Sequence, residues 1–125
     1  MLGELEANGT TVLCDLEAGV GTVLRLQPGQ VDRVVVVAEP SAKAIDVARR
    51  ALRIAESRAA VTVVANKIRE PAELAEIREA LGGDPFVVPA DAAIAEADRH
   101  GVAPIDSSPG SPAVRALVEL AGRLT

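Results

Sequence analysis

Aromatic side chains are almost absent from this 125-residue chain: Phe86 is the only one, and there is no Trp or Tyr. Proteins that bind single-stranded nucleic acid stack its bases on aromatic side chains, so this lack argues against such a role. A net charge of -5 also weighs against a polyanionic partner. We therefore expect no nucleic-acid partner, and we expect a core built from Ala, Val, Leu and Ile.

A single cysteine, Cys14, excludes an intramolecular disulfide and gives no sign of an oxidising compartment. Because it lies inside an apolar run, we interpret it as a small buried residue rather than a reactive thiol or metal ligand. No apolar stretch reaches the length of a membrane span, and residues 1–10 lack the features of a signal peptide. These absences predict a cytoplasmic protein with no membrane partner.

The length fits one domain, residues 1–125, with a lead-in at 1–10 and a linker at 107–110 before a C-terminal helix. The run at residues 34–38 is apolar without a break, which is typical of a strand buried on both faces of a parallel sheet. Strand and helix patterns alternate four times, with strands predicted at residues 11–16, 31–38, 61–65 and 86–88. This pattern predicts an α/β three-layer sandwich with a mainly parallel sheet of about four strands.

Four helices are predicted from their starting residues. Ser41 and Asp91 are good N-caps, and Pro71 and Pro112 suit the first helical position, where the missing N–H has no consequence. The segment after Gly19 is too short for more than a short helix or an ordered loop. His100 lies at a helix end, so we interpret it as a cap or surface residue.

Polar residues follow each of the three later strands: Glu39-Pro40-Ser41, Asn66-Lys67 and Pro89-Ala90-Asp91. The carboxyl ends of parallel strands meet at one edge of a sheet, where α/β proteins bind their ligands. We therefore expect these residues to line one crevice.

Asp15 and Glu17 follow the first predicted strand. An aspartate at such an edge can hold Mg²⁺, usually through water, or orient an attacking water in phosphoryl transfer. It can equally cap a turn, and the spacing does not separate these two roles.

Asn66 and Lys67 follow the third predicted strand. The amide of Asn66 can pair with the edge of a purine, or Asn66 can simply supply a left-handed turn residue. Lys43 and Lys67 could reach phosphates, although most lysines are solvated.

Several of these motifs occur together in the order of a known family. The chain resembles, over residues 12–124, the C-terminal half of MinD/ParA-type P-loop ATPases of the SIMIBI class, and within them the carbon monoxide dehydrogenase maturation ATPases, which assist nickel insertion. The motifs are Asp15-Leu16-Glu17-Ala18-Gly19, Glu39-Pro40-Ser41, Val64-Ala65-Asn66-Lys67, Val88-Pro89-Ala90-Asp91, Glu96-Ala97-Asp98-Arg99 and Ala103-Pro104-Ile105-Asp106.

The resemblance implies roles for individual residues. Asp15 matches the aspartate that ends the Walker B (switch II) strand near Mg²⁺ and the attacking water, and Gly19 matches the switch glycine that senses the γ-phosphate. Asn66, followed by Lys67, matches the asparagine that pairs with adenine, and Pro89 to Asp91 match the loop that flanks the base. ATP and Mg²⁺ are the implied cofactors, and members of the family dimerise around two ATP molecules and serve a metalloenzyme client.

Two family features are missing from this sequence. No Gly-Lys-Gly-Gly or Gly-x-x-x-x-Gly-Lys-[Ser/Thr] segment occurs, so the loop that cradles the phosphates is absent. The Cys-x-Cys pair that carries nickel in the maturation subgroup is absent as well. We therefore expect a truncated or split nucleotide-binding domain that does not hydrolyse ATP alone and acts as a homodimer or with a P-loop-bearing partner.

The missing loop also affects the predicted sheet. In the family the P-loop strand lies between the strands that match residues 12–16 and 34–38. We predict that these two strands pair directly here; the alternative is that a partner supplies the intervening strand.

Two other functions fit the sequence. One is a non-catalytic protein-interaction or scaffold domain that kept the fold and lost the chemistry. The other is a receiver-like or flavodoxin-like module, in which Asp15 belongs to an acidic pocket and Lys67 is its partner.

Overall fold

The computed structural model describes residues 9–16 and 20–125. Helices and strands alternate along most of this part of the chain. In order they are α1 (Val20–Arg25), β1 (Arg33–Ala38), α2 (Ala42–Ala55), β2 (Ala60–Ile68), α3 (Pro71–Leu81), β3 (Phe86–Pro89), α4 (Ala92–Arg99), α5 (Pro104–Ser107) and α6 (Pro112–Leu124). None of the helices in the described ranges is long and apolar enough to cross a membrane.

The three strands form a parallel sheet in the order β1-β2-β3. Val34 lies opposite Val61, and the register continues without a break to Ala38 opposite Ala65. Helices flank this sheet, so the predicted α/β class with a parallel sheet is confirmed. The valines of β1 and β2 favour this parallel sheet. Their β-branched side chains fit its pleated surface, and they make both faces of the strands apolar.

Side chains alternate between two cores, one on each face of the sheet. On one face, Val34, Val36 and Ala38 of β1 pack with α1, α2 and α3, where Ile77 is fully buried. On the other face, Val64 of β2 packs with β3 and with α6. The sheet is therefore the middle of three layers, as the sequence predicts.

The first predicted strand is absent. Residues 11–16 belong to no strand, Val12 and Leu13 are 47% and 86% exposed, and Cys14 is exposed rather than buried. The predicted pairing of this segment with residues 34–38 is therefore wrong, since β1 pairs with β2 and with no other strand of the described residues. An apolar, β-branched run becomes a strand only where its backbone finds a neighbouring strand, and composition does not supply one.

Local signals place the helices correctly. Ser41 caps α2 by accepting a hydrogen bond from the Ala44 N–H at 3.2 Å, and Ser111 does the same for Val114 in α6 at 3.4 Å. The segment after Gly19 forms the short helix α1. The sequence did not predict α5, which takes up Ser107, the first residue of the predicted linker.

Arg58 joins the ends of α1 and α2. Its Nε donates to the Leu26 carbonyl at 2.7 Å and its Nη1 to the Ile54 carbonyl at 2.9 Å. Helix ends leave carbonyls without partners, and a guanidinium has enough donors to serve two of them. This contact holds the short helix α1 against the longer α2.

Asp91 joins the beginnings of α4 and α6. Its Oδ1 accepts from the Ala93 N–H at 2.9 Å, and its Oδ2 accepts from the Ala113 N–H at 3.0 Å, 22 residues further along the chain. The hydrogen bonds from Ala113 and Ala93 favour the ionised carboxylate and lower the pKa of Asp91 below its ordinary value. One charged group thus serves two helix N-termini, where negative charge is favourable.

We predict that Asp91→Asn lowers the free energy of unfolding at neutral pH. In acid the variant and the wild type should have the same free energy of unfolding. The pKa of Asp91 is lower in the folded state, so the unfolded chain binds more protons as the pH falls. The stabilisation is therefore complete above the ordinary aspartate range, about pH 4, and is lost as the pH falls through the folded-state pKa. Urea unfolding of the wild type and the variant at several pH values measures this convergence.

Asp98→Asn is the matched control, because Asp98 is an exposed carboxylate on the same helix, α4. It should leave the pH dependence of unfolding unchanged. The difference in the free energy of unfolding between the wild type and Asp91→Asn could instead stay constant from neutral pH into acid. That result would show that the ionised carboxylate is not what stabilises the two helices.

Candidate functional site

A crevice of about 910 Å³ lies at the carboxyl edge of the sheet. It brings together residues that follow all three strands, as the topology of a parallel sheet requires. Its polar lining includes Glu39, Ser41, Asn66, Lys67, Arg69, Asp91 and Asp98, and its apolar wall includes Val88, Ile94, Ala95, Val102, Pro104, Ala113 and Leu117. The crevice thus combines polar side chains, most of them at the strand ends, with an apolar wall to which α4 and α6 contribute Ile94 and Leu117.

The predicted residues Asn66 and Lys67 lie in an irregular part of β2. Ala65 is opposite Val87 and Ile68 is opposite Pro89, so β2 contains one more residue than β3 between these pairs. Such a bulge redirects side chains and is common beside functional sites. The sequence placed the end of the strand at Ala65, whereas β2 continues through the bulge to Ile68.

Lys67 has a φ of 59°, the left-handed region. Among the described residues it is the one non-glycine with a positive φ, and a side chain there raises the backbone energy by about 1–3 kcal/mol. The sequence allowed Asn66 as a left-handed turn residue, but the left-handed position belongs to Lys67. A strained residue at the edge of a ligand-sized crevice points to a function for this loop.

The Lys67 ammonium is paired with a carboxylate across the strand ends. Its Nζ lies 2.7 Å from Glu39 Oε1, so the pair joins the end of β1 to the end of β2 at the mouth of the crevice. Both side chains are exposed, and water and salt weaken such pairs to about 0–1 kcal/mol. A ligand that brings its own charge can therefore displace Glu39 at little cost.

Asn66 is half-buried in the crevice lining. No side-chain hydrogen bond between the described residues uses its amide, whereas Asp91 in the same lining has both oxygens engaged. As far as the described residues go, the Asn66 amide therefore has its donors and its acceptor available to a ligand.

The loop after β3 is held by backbone contacts. The Ala90 N–H donates to the Ile68 carbonyl at 2.9 Å, which fixes Pro89 and Ala90 beside the bulge of β2. Because the Asp91 carboxylate caps two helices, its contribution at the crevice is to shape the wall rather than to offer a free acceptor.

The other predicted residues lie elsewhere. Asp15 is exposed, belongs to no strand and does not line the crevice, and Gly19 lies outside the described residues. Lys43 is exposed on α2 and does not line the crevice either. His100 caps α4, and its Nε2 lies 2.8 Å from Glu96 Oε1 at the surface, as the sequence predicts. Across residues 9–16 and 20–125, no group of three or more His, Cys, Asp or Glu residues is placed to hold a metal.

Sequence reasoning missed Arg69, which also lines the crevice. Glu73 accepts from the Arg69 backbone N–H at 2.7 Å and from its Nε at 2.9 Å. These bonds lower the pKa of Glu73 and raise the pKa of Arg69, so both groups stay charged. The signal present in the sequence was the acidic residue in the first turn of α3, since Glu73 there accepts from Arg69, the residue before the N-cap.

A second cleft, of about 660 Å³, lies at the opposite edge of the sheet. Its cations are already engaged: Arg78 pairs with Asp84 at 2.8 Å, and Arg123 pairs with Glu119 at 2.6 Å and lies over the ring of Phe86. The free amide, the bulge and the strained lysine all lie at the carboxyl edge, so we place the candidate site there.

The sequence matches no family model and no curated protein. Among solved structures, the fold is similar to that of the MinD cell division protein of Aquifex aeolicus, with a TM-score of 0.60 and 22% sequence identity. The match covers 76% of this chain and 44% of that protein, so this chain spans less than half of the length of its structural neighbour. A likeness at this identity establishes the fold alone, and the fold of this chain is MinD-like.

Proposed function

We propose that this chain is a nucleotide-binding domain of the MinD/ParA type whose crevice binds the adenine base of ATP. The observation that carries this proposal is the free amide of Asn66 at the carboxyl edge of a MinD-like sheet. Ligands of α/β proteins bind at this edge, and a crevice of about 910 Å³ lies within the range of small-molecule sites.

The lining of the crevice suits a flat base with polar edges. An amide offers a donor and an acceptor side by side, which is the pattern that adenine presents at its N6 and N7. The wall formed by Ile94, Val102 and Leu117 can cover the face of the ring and exclude water from these hydrogen bonds. Backbone contacts hold the loop at Pro89 and Ala90, so it can flank the base without being ordered by it.

The phosphates need groups that this sequence does not contain. No glycine-rich loop with a lysine occurs in it, so we propose binding of the base by this chain and phosphate binding by a P-loop-bearing polypeptide. ATP and Mg²⁺ would then lie between the two polypeptides, and the Mg²⁺ and switch roles that the resemblance gives Asp15 and Gly19 are part of this proposal. We do not propose hydrolysis by this chain alone.

The order of the motifs supports a finer assignment. We propose a relation to the carbon monoxide dehydrogenase maturation ATPases and a metalloenzyme as the client. Cys14 is the only cysteine, so this chain would assist the client without carrying nickel on a Cys-x-Cys pair.

A second candidate function is a protein-interaction domain without nucleotide. The absent phosphate loop and the ion pair between Lys67 and Glu39 at the mouth of the crevice favour it. If adenine nucleotides shift no amide signal of the chain in an NMR titration, this second candidate is the better one.

We predict that Asn66→Ala weakens ATP binding about tenfold, the value of one bidentate amide contact to a base. Two-dimensional NMR of the ¹⁵N-labelled chain, titrated with ATP and Mg²⁺, measures the affinity even if it is low. In the wild type, the shifted amides should cluster at Asn66, Lys67 and Ala90. GTP should bind more weakly, because guanine presents a different edge.

Thr62→Ala is the matched control, since Thr62 lies on the same strand, β2, near its opposite end. It should leave ATP binding unchanged. An equal affinity of Asn66→Ala and the wild type would remove the adenine assignment, and shifts clustered at the amino edge of the sheet would place the site in the other cleft.

We also predict that Lys67→Gly stabilises the fold by about 1 kcal/mol, because glycine adopts a positive φ without strain. The same change should weaken ATP binding by relaxing the loop. Urea unfolding and the NMR titration measure the two effects on one protein.

Lys67→Ala separates the backbone from the charge. It removes the same ammonium and the same contact with Glu39 but keeps a Cβ in the left-handed conformation. It should therefore give no gain in stability. Equal stabilities of the two variants would show that the conformation of Lys67 stores no energy.

A further inference from the structure

The outer edge of β1 is open in the described part of the chain. β1 is the first strand in the order β1-β2-β3, and its described strand neighbour is β2 alone. The backbone N–H and C=O groups on its other side therefore have no strand to pair with among residues 9–16 and 20–125. Proteins protect such edges with charged side chains or proline, and the sequence of β1, Arg-Val-Val-Val-Val-Ala, has one charge at its first position and no proline.

One face of β1 is also exposed. Val34, Val36 and Ala38 are buried under the helices of the first core, but Val37 on the other face is 54% exposed. On this second face α6 packs against β3, and Val35 of β1 lies against the same core, whereas Val37 near the end of β1 stays exposed. Within the described residues, a strand with the composition of an interior strand is thus open along its edge and at one end of one face.

We propose that β1 pairs antiparallel with β1 of a second copy of this chain, about a two-fold axis at Val36. The two three-stranded sheets then form one continuous six-stranded sheet. This proposal does not require nucleotide binding, since it rests on the edge of β1, although one of its contacts, Glu39, also lines the crevice.

Symmetry and charge select the register. A two-fold axis perpendicular to a sheet keeps every side chain on its own face, so residues of odd number must lie opposite residues of odd number. With Val36 on the axis, Val35 lies opposite Val37 of the second copy and Arg33 lies opposite its Glu39. A shift of two residues along the strand would place Arg33 opposite Val37 instead and would lose the charge pairing.

The two charged groups have capacity for this contact. Arg33 uses Nη1 to donate to Thr62 Oγ1 at 2.9 Å, and a guanidinium has further donors. Glu39 receives Lys67 on Oε1, which leaves Oε2 for an arginine. Each dimer would contain this arginine–glutamate pair twice, once at each end of the paired strands.

The exposed Val37 and the half-buried Val35 supply the apolar part of the interface. Cross-strand pairs of β-branched side chains stabilise antiparallel strands, and here Val35 and the exposed Val37 would pair twice. The area is that of two short strands, so we expect a weak and reversible dimer whose population depends on concentration.

Charge reversal with mixing tests the proposal. Arg33→Glu and Glu39→Arg each place two like-charge pairs across the axis, so each should raise the dimer dissociation constant by about tenfold or more. An equimolar mixture of the two variants should dimerise like the wild type, because every pair in the heterodimer again joins opposite charges. Sedimentation velocity at rising protein concentration measures dimerisation of the two variants and of their mixture against the wild type. Circular dichroism checks that each variant is folded.

A second pair of variants tests the apolar contact. Val37→Lys should abolish the dimer, whereas Val118→Lys on α6, a valine of the same 54% exposure, should leave it unchanged. A wild type that stays monomeric at every concentration overturns the proposal. So does a mixture that fails to recover the dimer, or a dimer that is lost on Leu13→Lys and kept on charge reversal, which would point to pairing through residues 11–16.

Discussion

The hydrogen bonds of the Asp91 carboxylate determine how the C-terminal third of the fold meets the sheet. One oxygen serves the first turn of α4 and the other serves the first turn of α6. Because α6 packs against β3 through Ala113 and Leu120, the position of the second core depends on this contact. The same two helices contribute Ile94 and Leu117 to the apolar wall of the crevice, so one ionised group supports both the fold and the candidate site.

The strand side of the crevice depends on a different constraint, the register between β2 and β3. The extra residue of β2 is accommodated by a bulge, and Lys67 takes the left-handed conformation there. A glycine would fit this position with less strain, as it does at Gly82 and Gly83. The chain thus retains a lysine at an energetic disadvantage, at the place where an amide and a cation can reach a ligand.

Glu39 connects the crevice to the open edge of the sheet. It pairs with Lys67 at the mouth of the crevice, and it is the last charged residue along the edge of β1. A second copy on that edge would place an arginine at the other oxygen of the carboxylate that Lys67 contacts. Nucleotide binding and self-association, although proposed on separate observations, would therefore influence one another through a single side chain.

The sequence by itself determined the α/β class, the three later strands and the starts of α2, α4 and α6, because periodicity and caps such as Ser41 act over a few residues. Only the tertiary structure decided that residues 11–16 form no strand, that β2 continues through a bulge, and that Asp91 reaches Ala113. Each of these depends on a neighbour distant in sequence. Local patterns specify what a segment can form, and the packing of the whole chain decides which backbone groups find partners.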